Sequence, residues 1–231
     1  NHAFDLPLSA RMSVICGRDQ ARVSAAATKL GWAEHSTDWR AVVARDDIDL
    51  IDICSPGNTH AEIALAALAA GKHVLCEKPL ALRSSEAAEL HEIATRHDRI
   101  LMVGHVFLFN SGIRKLKEYL DHHALGTLHY IYSSRLNLGP VRNDVDVAWD
   151  LASHDVSIMN YLLGAEPIEV SANGGFFLQR PISDVAFVSL RYPQNVLVNI
   201  HVGWIDPVKV RQITIVGSSK MVVWNDLSPT E

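Results

Sequence analysis

The segment Glu77-Lys78-Pro79 combines a carboxylate, an ammonium group and a proline directly after the apolar run 73–76. Proline fixes its own φ and biases the residue before it toward an extended backbone, so Lys78 is held at the end of a predicted strand. Open α/β sheets bind ligands at the carboxyl ends of their strands, and a lysine there is a candidate proton donor or acceptor. The alternative, for three isolated residues, is a solvated Glu-Lys pair in a turn.

A second group of polar side chains lies in the predicted helix 148–163, where Asp150 and His154 are four residues apart. Residues at this spacing share one helix face, which Ser157 and Tyr161 continue. His154 is a candidate to accept a hydroxyl proton as a hydride leaves the same carbon, with Asp150 orienting the substrate or the imidazole. The alternatives are a helix with one solvated face and a metal site, although no third ligand has a matching spacing.

The apolar patterning predicts the elements that carry these groups. In the first half, strand-like runs alternate with helical segments, which predicts a Rossmann-type, doubly wound parallel sheet. The predicted strands are 12–16, 50–54, 73–76 and 100–103, and the predicted helices are 20–30, 37–45, 61–70 and 84–97.

The second half changes character near residues 107–110. A helix at 111–120 and the helix 148–163 accompany extended runs, which are 128–136, 168–179, 184–192, 196–204, 210–216 and 221–224. Apolar and mixed residues alternate with a period of two through 196–204. This half is therefore predicted to be an α+β domain with a large, mostly antiparallel open sheet, and its apolar face indicates assembly into a homo-oligomer.

A doubly wound half often binds a dinucleotide, through a Gly-x-Gly-x-x-Gly loop before its first helix. The sequence lacks that motif and opens on Asn1-His2-Ala3-Phe4, which reads as the interior of a helix. We therefore expect a chain cut at both ends, without the first strand and the glycine-rich loop. Residues 1–108 would form the dinucleotide-binding domain, and residues 109–231 the substrate-binding and oligomerisation domain.

Two further segments bear on the cofactor. Gly17 and Arg18 stand where an Asp or Glu would bind a ribose 2′-hydroxyl, which favours NADP over NAD. The alternative is that Arg18 is a solvated turn residue. The segment Ser55-Pro56-Gly57-Asn58-Thr59-His60 opens a helix, and its free N–H groups suit a ribose or a phosphate. The same segment also serves as a helix cap without any ligand.

Composition excludes several functional classes. The 231 residues carry a formal net charge of −5 and show no basic face, so no nucleic-acid partner is expected. The longest apolar run, 63–70, is too short to span a bilayer, and no membrane partner is expected. The three cysteines, each near the end of a strand-like run, indicate reduced thiols and a cytoplasmic location.

Taken together, these residues resemble the Gfo/Idh/MocA oxidoreductase family over nearly the whole chain. The resemblance rests on Ser55-Pro56 with His60, on Gly71-Lys72-His73-Val74-Leu75-Cys76-Glu77-Lys78-Pro79-Leu80, on Val103-Gly104-His105 with Phe109-Asn110, and on Asp150 with His154 before Tyr161-Leu162 and Gly164. It implies a Rossmann domain that holds NAD or NADP and a following domain with a large open sheet that supplies the substrate site and an oligomer interface.

The resemblance also implies residue roles. Lys78, His154 and Asp150 would be catalytic. The cofactor-binding residues would be Gly17, Arg18, Ser55, Pro56, Asn58, His60, Glu77, Lys78 and Pro79. The substrate-binding residues would be Lys78, His105, Arg135, Asn137, Asp150 and His154. The run 137–155 is similar to the branch that oxidises the 3-hydroxyl of UDP-N-acetyl amino sugars, in which Arg135, Asn137 and Arg142 would meet a diphosphate or sugar hydroxyls.

The expected activity is hydride transfer between a nicotinamide cofactor and a secondary hydroxyl of a sugar, with nucleotide-linked sugars among the candidates. Two alternatives stay open. One is an internal-redox isomerase, dehydratase or glycosidase that uses the same site, and the other is a dinucleotide-binding fragment without activity.

Overall fold

A computed structural model describes residues 10–228 of the chain. The chain divides into two compact units, one that ends at Gly104 and one that begins at His105. The helical interior predicted at residues 1–4 lies outside the described residues.

The first unit alternates parallel strands and helices, as predicted. Its strands are β1 (Val14–Cys16), β2 (Glu34–Ser36), β3 (Leu50–Ile53), β4 (His73–Cys76) and β5 (Leu101–Val103), and its helices are α1 (Gln20–Leu30), α2 (Trp39–Val43), α3 (His60–Ala69) and α4 (Ser84–Arg96). Strands β1 and β2 form one parallel pair, and β3, β4 and β5 form a second parallel sheet in that order. The sequence pattern missed β2, because this three-residue strand is polar and mostly exposed.

Local signals explain where the first helices begin and end. The Asp19 carboxylate caps α1 by accepting a hydrogen bond from the Arg22 N–H, and Gly31 ends this helix in the left-handed conformation. The Asp38 carboxylate caps α2 in the same way. Helix α3 buries Ala64, Ala67 and Leu68 against β3 and β4, so the carboxyl ends of these two strands are fixed by one apolar core.

The second unit is built on a six-stranded sheet in the order β11-β10-β6-β9-β8-β7. Its strands are β6 (Leu128–Leu138), β7 (Glu169–Gly175), β8 (Val185–Tyr192), β9 (Val196–Gly203), β10 (Ile205–Gly217) and β11 (Met221–Asn225), and its helices are α5 (Ser111–Asp121) and α6 (Ser153–Leu163). All neighbouring strands run antiparallel except β6 and β9, which are parallel. The predicted large, mostly antiparallel sheet is confirmed.

The two faces of this sheet differ in polarity and burial. Val198, Ile200 and Val202 of β9 point into the core that contains the apolar residues of α5 and α6. On the opposite face, the large side chains stay exposed, among them Tyr130, Tyr132, Phe187 and Leu197. The alternation of apolar and mixed residues along β9 therefore corresponds to two sheet faces, one covered by helices and one exposed.

The predicted helix 148–163 is not uniformly α-helical. Ala148–Ala152 form a π turn, and α6 continues from Ser153 until Gly164 ends it in the left-handed conformation. Single π turns of this kind within helices occur frequently at functional sites. The π turn carries Asp150 and α6 carries His154, so the two residues lie on either side of the change in winding.

Helix α6 is fastened to the sheet by a hydrogen bond from the Tyr192 hydroxyl to Asn160 Oδ1, at 2.6 Å. Burial raises the pKa of Tyr192 to about 12, so the hydroxyl stays protonated at neutral pH and remains a donor. The phenol is buried, and its loss would leave the Asn160 oxygen without this donor.

We predict that Tyr192→Phe lowers the free energy of unfolding by about 1–2 kcal/mol, because the half-buried Asn160 oxygen loses its donor. Urea titration followed by tryptophan fluorescence measures this change. Tyr130→Phe is the matched control, because Tyr130 is exposed on the open face and its change should be neutral. Equal midpoints for both variants would contradict the assignment.

Candidate active site

The carboxyl ends of β3 and β4 bring two candidate segments to one edge of the first unit. The strands are parallel neighbours, with Ile53 opposite Cys76. The segments that follow them, 54–59 and 77–80, therefore leave the sheet side by side, where α/β proteins bind ligands. Gly57 makes their contact close, because a Cβ there would lie 3.4 Å from Pro79 Cδ.

The imidazole of His60 joins these two segments from within. Its Nδ1 lies 2.7 Å from the Pro79 carbonyl oxygen, and its Nε2 lies 2.7 Å from the Ser55 carbonyl oxygen. Even a neutral ring donates from one nitrogen, so the ring donates to at least one of these two carbonyls. The side chain is 1% exposed.

His60 is predicted to lie along a cofactor, and that role stays a prediction beside the two backbone contacts that the ring makes. Both ring nitrogens are directed at backbone carbonyls, and the ring lies behind the two segments instead of at their surface. The signal that could have indicated this is its position as the first residue of α3, directly after the turn that the ring supports.

Lys78 follows β4 as predicted and is half-buried, and the peptide bond from Lys78 to Pro79 is cis. The neighbouring Glu77 is exposed, and its N–H donates to the Ile53 carbonyl. A Cβ at Gly104 would lie 3.2 Å from Glu77 Oε1, so the absence of a side chain at Gly104 leaves room for this carboxylate.

The other predicted cofactor residues lie at the carboxyl ends of β1 and β3. Arg18, Pro56 and Asn58 are exposed, whereas Gly17 and Ser55 are half-buried. Exposed groups and short turns along one edge of parallel strands fit a dinucleotide, which needs backbone N–H groups and polar side chains at these ends. The structure places these residues where a cofactor can reach them, and their binding role stays a prediction.

The cysteines beside this edge do not provide a nucleophile. Burial, reinforced by the Asp52 carboxylate, raises the pKa of Cys54 to about 11. Burial, reinforced by Cys54, raises the pKa of Cys76 to about 12. Both thiols are therefore protonated at neutral pH, which disfavours covalent thiol chemistry at this edge.

In the second unit, Asp150 is held near two donors. Trp204 Nε1 donates to Asp150 Oδ2 at 3.2 Å, and Arg142 Nη1 lies 3.6 Å from Asp150 Oδ1. Arg142 also forms a bidentate pair with Asp144, and this hydrogen bonding lowers the pKa of the Asp144 carboxyl. The side chain of Asp150 is 17% exposed, so the carboxylate is oriented by protein groups while solvent still reaches it.

His154 lies one helical turn beyond Asp150 and contacts an aromatic ring. The rings of His154 and Phe107 meet edge to face, with centroids 5.1 Å apart and an interplanar angle of 74°. Phe107 belongs to a short 3-10 turn, Val106–Phe109, that follows His105. The predicted substrate residues His105 and Asn137 are half-buried in this same unit.

Arg135, which is predicted to contact substrate, lies in a buried ion pair. Its Nε donates to Asp155 Oδ2 at 2.7 Å, and the two side chains are 5% and 2% exposed. This ion pair engages the guanidinium Nε, and a contact of Arg135 with a diphosphate or a sugar hydroxyl stays a prediction. The sequence showed an arginine in a strand but could not show its partner on a helix.

Residues 10–228 contain neither a candidate metal-ligand cluster nor a candidate membrane-spanning helix. Within this range, no group of three or more His, Cys, Asp or Glu residues could hold a metal ion. In the same part of the chain, no helix is long and apolar enough to cross a membrane.

The fold and these segments define a class: a parallel α/β unit with ligand-accessible strand ends, followed by a unit built on a large antiparallel sheet. The family description "Oxidoreductase family, NAD-binding Rossmann fold" matches residues 3–105, and "GFO/IDH/MocA C-terminal domain" matches residues 113–223. The chain belongs to the Gfo/Idh/MocA family.

Individual relatives include sugar and cyclitol dehydrogenases. Myo-inositol 2-dehydrogenase of Thermotoga maritima is 30% identical over 73% of this chain and 54% of its own length. UDP-N-acetylglucosamine 3-dehydrogenase of Acidithiobacillus ferrooxidans is 35% identical over 55% of this chain and 40% of its own length. The chain thus spans about half the length of these curated relatives.

Solved structures have the same fold. The crystal structure of an oxidoreductase domain protein from Kribbella flavida superposes with a TM-score of 0.89 at 30% identity, over 96% of this chain and 66% of that one.

We predict that His60→Ala accelerates amide hydrogen exchange at 55–60 and 77–80 by about tenfold or more. The half-buried carbonyls of Ser55 and Pro79 lose the ring that links them, and loss of one buried hydrogen-bond partner costs about 1–3 kcal/mol. His91→Ala, on the exposed surface of α4, is the control. Unchanged exchange in both segments would show that the ring does not hold them together.

Proposed function

We propose that the protein containing this chain is an NAD(P)-dependent oxidoreductase that moves a hydride between the nicotinamide and a secondary hydroxyl of a sugar or cyclitol. The observation that carries the proposal is Lys78 at the carboxyl end of a parallel strand, in a unit that matches the NAD-binding family description. The named relatives, which act on inositol and on a UDP-linked amino sugar, support the substrate class.

The side chains of His154, Lys78 and Asp150 have separate roles in proton transfer and substrate binding in this proposal. A bound nicotinamide supplies the hydride chemistry. His154 takes the hydroxyl proton during oxidation and returns it during reduction, because hydride loss without proton loss leaves a charged carbonyl precursor. Lys78 acts as a second proton donor or acceptor in the reaction, and Asp150, held by Trp204, orients the substrate hydroxyl.

Replacing Lys78 tests the proposal. Lys78→Ala in the full-length protein should lower kcat by about 10²- to 10⁴-fold, the range of a lost acid–base group. Reduction of NAD and NADP is followed at the nicotinamide absorbance with myo-inositol, simple sugars and UDP-N-acetylglucosamine as substrates. Lys29→Ala, at the exposed end of α1, is the control and should retain activity.

The same assay separates the alternatives. Near wild-type turnover by Lys78→Ala would refute the role of Lys78. Conversion of a sugar without net change in nicotinamide absorbance would identify the internal-redox alternative. A wild-type protein that binds NADH but converts no substrate in the panel would support the non-catalytic one.

For the cofactor, we propose a preference for NADP over NAD. Gly17 leaves the ribose position without a carboxylate, and the exposed Arg18 can neutralise a 2′-phosphate. Arg18→Ala should therefore weaken NADPH binding about tenfold and leave NADH binding unchanged, as measured by calorimetry. An equal loss of affinity for NADPH and NADH, or no loss for either, would show that Arg18 does not bind the 2′-phosphate.

For partners, we propose that a second copy covers the open face of the six-stranded sheet. Stacked Tyr130 and Tyr132 and the pair Phe187–His201 form an aromatic surface on this face. Exposed apolar surfaces of this kind commonly mark protein interfaces.

The three free cysteines support a reducing, cytoplasmic location.

We predict that Phe187→Glu shifts the protein toward the monomer in light scattering after gel filtration, because an interface would bury the new carboxylate. Leu30→Glu, on the exposed end of α1, is the control and should leave the mass unchanged. A wild-type monomer, or a Phe187→Glu oligomer of unchanged affinity, would contradict this assembly.

A further inference from the structure

The ion pair between Arg135 and Asp155 lies in the core of the second unit, directly behind the start of α6. Both residues are almost fully buried, and Nε and Oδ2 are 2.7 Å apart. Burying such a pair is expensive, and apolar replacements of similar volume are often as stable or more so. The pair is therefore weak evidence for stability alone, and its position beside His154 points to a role in the site.

The backbone of α6 links the position of Asp155 to the direction of the His154 side chain. Asp155 follows His154 on α6, and consecutive residues on an α-helix point about 100° apart. The hydrogen bond from Arg135 on β6 holds Asp155 toward the sheet. It thereby fixes the rotation of the first turn of α6, and with it the direction in which the His154 side chain leaves the helix.

The ring of Phe107 provides a second link, because it contacts both Arg135 and His154. The guanidinium carbon of Arg135 lies 4.4 Å from the centroid of this ring, a cation–π distance. His154 meets the same ring edge to face at 5.1 Å, and Trp224 meets it edge to face at 6.4 Å. Phe107 is thus held by a cation and an indole while it contacts the imidazole.

We propose that Arg135, Asp155 and Phe107 are positioning residues for His154. The ion pair orients the helix, and the aromatic ring, held against the guanidinium, orients the imidazole. The kinetic consequence rests on the proposed function, whereas the effect on the imidazole itself does not.

Kinetics in the full-length protein give the first test. Arg135→Met/Asp155→Leu removes both charges without leaving either one buried alone, and Phe107→Leu removes the ring without touching the ion pair. Each should lower kcat for the sugar about 10- to 100-fold, the cost of a small misplacement, with KM changed less than about threefold. Phe107→Tyr keeps the ring and should restore most of the activity.

The matched control is Lys117→Met/Asp121→Leu, which removes an ion pair from the more exposed surface of α5 and should leave kcat unchanged. Wild-type kcat in both Phe107→Leu and the double variant would overturn the proposal. If the double variant does not fold, Phe107→Leu and Phe107→Tyr still decide it.

Nuclear magnetic resonance of the His154 ring gives a readout independent of activity. The ring protons, assigned with His154→Gln, should shift and broaden in Phe107→Leu and in the double variant, but keep their wild-type shifts in the control. This result is expected even if the protein does not oxidise sugars, which separates failure of this inference from failure of the proposed function. Unchanged His154 resonances in both test variants would refute the positioning role.

Discussion

The second unit depends on the placement of two opposite charges where water does not reach them. Arg135 extends from the middle of β6, and Asp155 meets it from the first turn of α6. A second polar contact, Tyr192 with Asn160, fixes the same helix farther along. Because the first contact is buried and the second is partly buried, and both are directional, the helix has little freedom to slide or rotate on an otherwise apolar sheet face. In the proposal made above, His154 acquires its direction from this arrangement, whereas Asp150 is oriented by Trp204 and Arg142.

In the first unit, a single imidazole, that of His60, holds the segments that follow β3 and β4. Loops at the carboxyl ends of strands are mobile unless their backbone groups are held. His60 holds two of them at once, through the carbonyls of Ser55 and Pro79, and Gly57 lets them approach each other. Lys78 therefore lies between a buried strand and a proline whose carbonyl is fixed. In both units, a buried polar side chain supports a more accessible one.

The sequence was sufficient for what depends on local pattern. Alternating apolar runs predicted the parallel strands and the antiparallel sheet, and Pro79 after an apolar run placed Lys78 at the end of β4. Contacts between distant residues left no such pattern. The family resemblance implied that Arg135 meets substrate, and the pattern could not show its ion pair with Asp155, which is twenty residues away. His60 was expected to face a cofactor, and the π turn at Ala148–Ala152 was missed because its apolar spacing resembles that of an α-helix.

A double-mutant cycle in urea unfolding tests the central constraint most directly, using Arg135→Met, Asp155→Leu and their combination. Each single change leaves a buried charge alone and should cost about 3–5 kcal/mol, whereas the double change should cost less than either. The predicted coupling is therefore several kcal/mol. Additive effects, with a coupling below about 0.5 kcal/mol, would show that the two charges do not hold α6 to the sheet.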